Sequence, residues 1–71
     1  MTGRLRVLHA VRSYMDEHGW APSSRDLSRM TGLAVSNVHY HLEGLAHEGY
    51  IVRAPAISRG IRVTEKGRAV V

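Results

Sequence analysis

The stretch Val35–Tyr50, VSNVHYHLEGLAHEGY, constrains the fold more than any other part of this chain. Val38, Leu42 and Leu45 fall at i, i+4 and i+7, one face of an α-helix. At about 100° per residue, Ser36, Tyr40, Glu43 and His47 point the other way. Gly49 supplies the stop, because glycine readily adopts the left-handed backbone that ends a helix. The spacing predicts an amphipathic helix over about residues 36–48. Its inner face is core, with His41 beside it as a hydrogen-bonded packing residue. Its outer face is polar and aromatic, and its first turns carry side chains that donate and accept hydrogen bonds.

The preceding residues supply a cover for that inner face. Residues 3–18 read as a helix with Leu5, Leu8, Val11, Met15 and His18 in one stripe, widened by Val7 and Tyr14. Arg4, Arg6, Arg12, Asp16 and Glu17 form its solvent side, and Arg12 and Asp16 make an i,i+4 pair. Gly19 ends it. Trp20-Ala21-Pro22 is an extended connector, since proline biases the residue before it away from helix. Trp20 is expected beside the core with its N–H partnered. Ser23 with Asp26 resembles a capping box and opens a second helix over about 24–31, with Leu27 and Met30 as its buried positions. That N-terminus, with Ser23, Ser24 and Arg25, can hold a phosphate unless Asp26 occupies the same N–H groups. Gly32, Leu33 and Ala34 form a short turn into the central helix, which makes a helix-turn-helix.

After Gly49 the pattern changes. Tyr50-Ile51-Val52-Arg53 is rich in strand formers, residues 54–60 are turn-like, and Ile61-Arg62-Val63-Thr64 alternates as a half-buried strand does. This predicts a hairpin over about 50–64, to which the Trp20–Pro22 segment could add a third strand. Residues 65–68 read as a turn or short helix capped by Thr64. The fold class is therefore mainly α with a small β-hairpin: a three-helix winged helix-turn-helix, one domain over residues 1–71.

Charge now has a place to sit. The chain carries ten Lys+Arg against six Asp+Glu, net +4. Residues 1–31 are net +2, residues 32–52 net −2, and residues 53–71 net +4. The central helix has no Lys or Arg, and the cations flank it. Almost all are Arg, which suits forked recognition of phosphate and base edges. With 71 residues and no cysteine, disulfides and cysteine-ligated metals are excluded, and a thin core leaves little room for an enzyme cleft. No apolar run approaches a membrane span and no signal peptide is visible, so a cytoplasmic, nucleoid-associated protein is expected.

Three blocks, GWAPSSRDLSRMTGL (19–33), VHYHLEGLAHEGYI (38–51) and SRGIRV (58–63), resemble the amino-terminal DNA-binding domain of LexA-type repressors. The most specific is the middle block, V-x-x-H-L-x-x-L-x-x-x-G-Y-I. The resemblance implies a winged helix whose third helix enters the major groove of an SOS-type operator. The turn before that helix is one residue shorter than in typical members, and the reader identities differ from the usual set, so the same operator is not implied. The 71 residues hold no counterpart of the family's self-cleaving, dimerising carboxy-terminal domain. The TEKGRAVV ending resembles the close of small stand-alone regulators, which favours a complete regulator over a fragment.

The chemistry expected of the outer face is base reading. Asn37 can pair bidentately with adenine, Ser36 can serve several bases, and His39 and Tyr40 complete the set. Backbone contacts are expected from Ser23, Ser24, Arg25 and Arg29 on one flank and from Arg53, Arg59 and Arg62 on the wing side, with Arg59 the leading candidate for phosphate or the minor groove. His39, His41 and His47 do not share one face at ligand spacing, so no metal and no cofactor is expected. Nor is catalysis, for no nucleophile is paired with a base. These readings predict a repressor of bacterial, phage or plasmid type that binds double-stranded DNA, either alone or as a weak homodimer assembled on the duplex. The alternative is a winged-helix module that docks a host regulator or polymerase.

Overall fold

The computed structural model describes residues 2–54, 57 and 59–71. Among them the order is α1 (Gly3–His18), α2 (Ser24–Thr31), α3 (Val35–His47), β1 (Ile51–Arg53), β2 (Ile61–Val63) and α4 (Glu65–Val70). This is the winged helix-turn-helix that the sequence predicts, and the turn or short helix expected after it is the helix α4. The turn-like reading of Pro55, Ala56 and Ser58 lies outside the described residues.

Each helix starts and stops for a local reason. The Thr2 hydroxyl accepts from the Leu5 amide at 3.2 Å and opens α1. In α2 the capping box is complete: the Asp26 amide donates to the Ser23 hydroxyl (3.1 Å), and the Ser23 amide donates to the Asp26 carboxylate (2.9 Å). α3 begins at Val35, one residue earlier than expected. The short turn places Ala34 at its N-cap, so no side chain caps it and Ser36 lies inside the first turn. At its other end the Tyr50 amide bonds the Leu45 carbonyl (2.9 Å) and the Gly49 amide bonds that of Ala46 (3.1 Å). This reversal requires the positive φ of 83° at Gly49. Thr64 caps α4 by accepting from the Gly67 amide at 3.1 Å. A Cβ on Gly67 would stand 2.2 Å from the Tyr50 carbonyl oxygen, so α4 can lie against that backbone only with glycine there.

The core is where α1, α2 and α3 meet above the wing. Val7, Leu8, Val11, Leu27, Val38, Leu42, Leu45 and Ile51 are essentially sealed from water, with Ala10, Ala21 and Ile61 at the edge. The inner face Val38, Leu42 and Leu45 is as predicted. The α1 stripe is rotated relative to the expectation. Val7 is inside as expected and Ala10 joins it, while Leu5 and Met15 are half-buried and His18 is exposed, because α1 packs on both other helices and buries a broader face. In α2 the second inward position is Thr31, not Met30. The Thr31 hydroxyl donates to the Leu27 carbonyl (2.7 Å) and accepts from the Leu33 amide (3.2 Å), which makes its burial tolerable. Trp20 is exposed, with its ring beside that of His18. His41 is half-buried, but among the described residues its Nδ1 has no hydrogen-bond partner, contrary to the bonded role expected of it.

The wing is a two-stranded antiparallel sheet with Ile51 opposite Val63, Val52 opposite Arg62 and Arg53 opposite Ile61. The Trp20–Pro22 segment does not join it as a strand. Strand alternation sends Ile51, Arg53, Ile61 and Val63 inward, and Val52 and Arg62 outward. The turn between α2 and α3 is latched from within by the Ser28 hydroxyl, which donates to the Leu33 carbonyl at 2.6 Å, and by Arg6, which donates to the Thr31 carbonyl.

Candidate nucleic-acid interface

The outer face of α3 is solvent-accessible along its first turns. Ser36, Asn37, His39 and Tyr40 are all exposed, Tyr40 at 66%. Ser36, His39 and Tyr40 are brought together around a shallow depression of about 540 Å³ that Glu43 and His47 also border, and Asn37 lies outside it. Arg4 of α1 completes its rim. Its guanidinium lies 5.5 Å from the centre of the Tyr40 ring and pairs with Glu48 at 3.0 Å. Gly44 makes the passage: a Cβ there would meet the Arg4 guanidinium carbon at 2.4 Å. Reasoning from the sequence placed Arg4 in solvent. The available signal was Gly44 four residues after Tyr40, a gap on an otherwise covered helix face.

The cations on the two flanks behave differently. On the α2 side, Arg25 is exposed and makes no side-chain bond among the described residues, and Arg29 remains 75% exposed while touching Asp26 at 2.6 Å. On the wing side Arg62 points outward, and among the described residues its side chain makes no hydrogen bond. Arg53, sharing the inward strand face with Ile51, is only 12% exposed. It donates to His39 Nδ1 at 2.7 Å and lies 3.7 Å from Glu43. Arg59 also turns back. It donates to the Tyr14 hydroxyl (3.1 Å) and the Ala21 carbonyl (2.9 Å) and pairs with Asp26 at 3.0 Å. It does so from a left-handed backbone, φ 61°, that a non-glycine residue adopts only when its surroundings hold it there. The Tyr14 bond, aided by the Asp26 charge, raises the Arg59 pKa above its ordinary value. Arg59 thus holds three contacts within the fold while 40% of its side chain stays exposed.

Asp26 ties these pieces together. Its carboxylate receives the Ser23 amide, Arg29 and Arg59. Its pKa is held down to about 2, chiefly by the Ser23 amide bond and further by the Ser23 hydroxyl and Arg59, against the opposing effect of burial. The first N–H of the α2 terminus is therefore already occupied, which leaves Ser24 and Arg25 as its outward groups. Between that terminus, α3 and the wing lies a second cleft of about 140 Å³, bordered by Ser23, Ser24, His39, Arg53, Arg59 and Gly60. Among the described residues no three His, Asp or Glu side chains are grouped to hold a metal ion. No helix there is long and apolar enough to cross a membrane.

Comparison with known proteins agrees with this geometry. The family profile described as LexA DNA binding domain matches residues 2–60. The chain is 39% identical over 70 residues to LexA repressor 2 of Geobacter sulfurreducens, covering 96% of this chain and 34% of that protein. It is 41% identical over 58 residues to the LexA repressor of Moorella thermoacetica, covering 80% of this chain and 28% of that protein. With the LexA repressor of Thermosipho melanesiensis it shares 31% identity over 65 residues, 92% of this chain and 33% of that protein. The chain thus spans about a third of the length of these relatives.

Proposed function

The chain belongs to the LexA DNA binding domain family, and from that premise we propose that it represses transcription by binding double-stranded DNA, with α3 in the major groove. One observation carries the reading. α3, with Ser36, Asn37, His39 and Tyr40 exposed, packs against both α2, which exposes Arg25 and Arg29, and the wing, which exposes Arg62. Phosphate contacts from those flanks, helped by Ser24, position the helix and supply most of the affinity. Ser36, Asn37, His39 and Tyr40 then face base edges, where Asn37 suits adenine and Ser36 is permissive. Ser23, Arg53 and Arg59 serve the same surface from behind, by fixing the α2 terminus and the wing against α3. The role is binding rather than catalysis, in the cytoplasm of a bacterial, phage or plasmid-bearing host.

A single copy presents one short reading helix, so tight specific binding requires two copies assembled on a site with two half-sites. The test is selection of bound duplexes from a random library, followed by titration of a selected duplex. Half-site repeats are expected, with affinity falling steeply as salt rises from about 50 to 200 mM. Binding insensitive to salt would remove the mechanism. Retention of an acidic host protein with no duplex selected would favour the protein-docking alternative.

A further inference from the structure

We propose that Arg53 is a positioning residue that fixes His39 in its Nε2–H tautomer, and so makes His39 a reader of hydrogen-bond acceptors only. The inference rests on the DNA-binding reading for its consequence, but not for the tautomer itself. Arg53 reaches α3 because strand alternation turns it inward beside Ile51, and at 12% exposure its guanidinium has little freedom. Its fork spans one helical turn. Nη2 meets His39 Nδ1 at 2.7 Å, and Nη1 lies 3.7 Å from the Glu43 carboxylate. His39 and Glu43 are i and i+4, so a planar two-pronged donor fits them together.

Guanidinium carries donors only and keeps its charge at any ordinary pH. A contact of 2.7 Å to Nδ1 therefore requires the Nδ1 lone pair. In that contact the ring carries its proton on Nε2, at the other side of the ring. His39 is exposed and borders the outer depression. What it offers a base edge is one N–H. In the major groove that N–H suits guanine O6 or N7, adenine N7 and thymine O4, and is mismatched to the amino groups of cytosine N4 and adenine N6. A histidine without this clamp can exchange tautomers and meet either class. The wing strand thus sets specificity without touching a base.

Nitrogen–proton correlation spectra of the isotope-labelled protein at about pH 8, where histidine is neutral, identify which His39 nitrogen carries the proton. Nε2–H is expected in the wild type and in Arg53→Lys, which keeps a donor. Arg53→Met, which has none, should show both tautomers. In duplex selection, Arg53→Met should relax preference at one base pair of each half-site by about tenfold, the scale of one base-edge hydrogen bond. Arg53→Lys should restore it. A wild-type His39 protonated on Nδ1 overturns the proposal, as does an Arg53→Met protein that keeps both the single tautomer and the full preference. Should Arg53→Met not fold, the wild-type tautomer decides alone. Nε2–H in a wild type that selects no duplex supports the clamp and overturns the DNA reading instead.

Discussion

The two flanks of α3 carry similar charge in the sequence and use it in different ways. On the α2 flank, Arg25 and Arg29 project from a helix whose core contacts are made by Leu27 and Thr31, so their guanidinium groups remain in solvent. On the wing flank, Arg53 and Arg59 bond to His39, Tyr14, Ala21 and Asp26, Arg59 keeping 40% of its side chain exposed, and Arg62 faces out. The difference follows from how each element meets the core. A helix two turns long buries one row and leaves the rest free. The hairpin's inward strand face sets Arg53 beside Ile51, Ile61 and Val63, and the long Arg53 side chain reaches α3 from there. Net charge on a segment therefore overstates the charge that segment can present to a partner.

Leu42→Ala should give the largest effect and spare neither flank. Leu42 is fully buried on the inner face of α3. Its truncation is expected to cost about 3 kcal/mol of stability, a large share for a domain of this size. Urea unfolding followed by circular dichroism checks it. A loss well under 1 kcal/mol would mean that α3 is not what the two flanks rest on.

Ser23→Ala separates the flanks more finely. It removes the hydroxyl that caps α2 and, with it, part of what orients Asp26. The expected cost is about 1 kcal/mol. Because Asp26 also holds Arg59, the wing should loosen together with α2, seen as faster amide exchange at Ile61 as well as at Leu27. Exchange that rises only in α2 would show that the flanks are mechanically independent.

These effects bear on what could be read from the sequence. The boundaries of α1 and α2, the inner face of α3, the capping box and the hairpin were legible, because each depends on spacing within a few residues. The inward turn of Arg53 was legible too in principle: if Ile51 is core, alternation puts Arg53 on the same face. What escaped reading depends on distant elements. Whether Met30 or Thr31 is buried depends on where α1 crosses α2. Arg59 finds Tyr14 and Ala21, 45 and 38 residues away in sequence, only once the wing is docked. Trp20 lies outside because α1 and α2 close the core without it.

Three arginine substitutions test the asymmetry directly on DNA. Arg62→Ala should lower the slope of log affinity against log salt by about 0.9, the release expected for one phosphate contact, with an affinity loss of several-fold. Arg25→Ala should behave alike. Arg59→Ala should leave that slope unchanged while lowering the thermal midpoint, because the lost contacts are internal. If Arg59→Ala reduces the slope as much as Arg62→Ala does, Arg59 leaves Asp26 when DNA binds, and the wing matches α2 after all.

The smallest expected effect lies at Asp26, which both flanks touch, through Arg29 and Arg59. Its pKa is lowered from 3.8 to about 2, first by the Ser23 amide and then with help from Arg59. A depressed carboxylate contributes stability that is fully present above its unfolded pKa and lost as pH falls through its folded pKa. The contribution should therefore fade between about pH 3.8 and about pH 2. Comparing thermal midpoints of wild type and Asp26→Asn isolates it from the other carboxylates. The wild-type advantage should hold at neutral pH and shrink across that window. In an Arg59→Ala background the window should move only slightly upward, since the Ser23 bond remains the main cause. A window that instead returns to the ordinary carboxylate range would make the wing, not the α2 cap, the principal anchor of Asp26. An advantage that stays constant down to about pH 2 would mean that the ion pairs joining the two flanks add nothing to the fold.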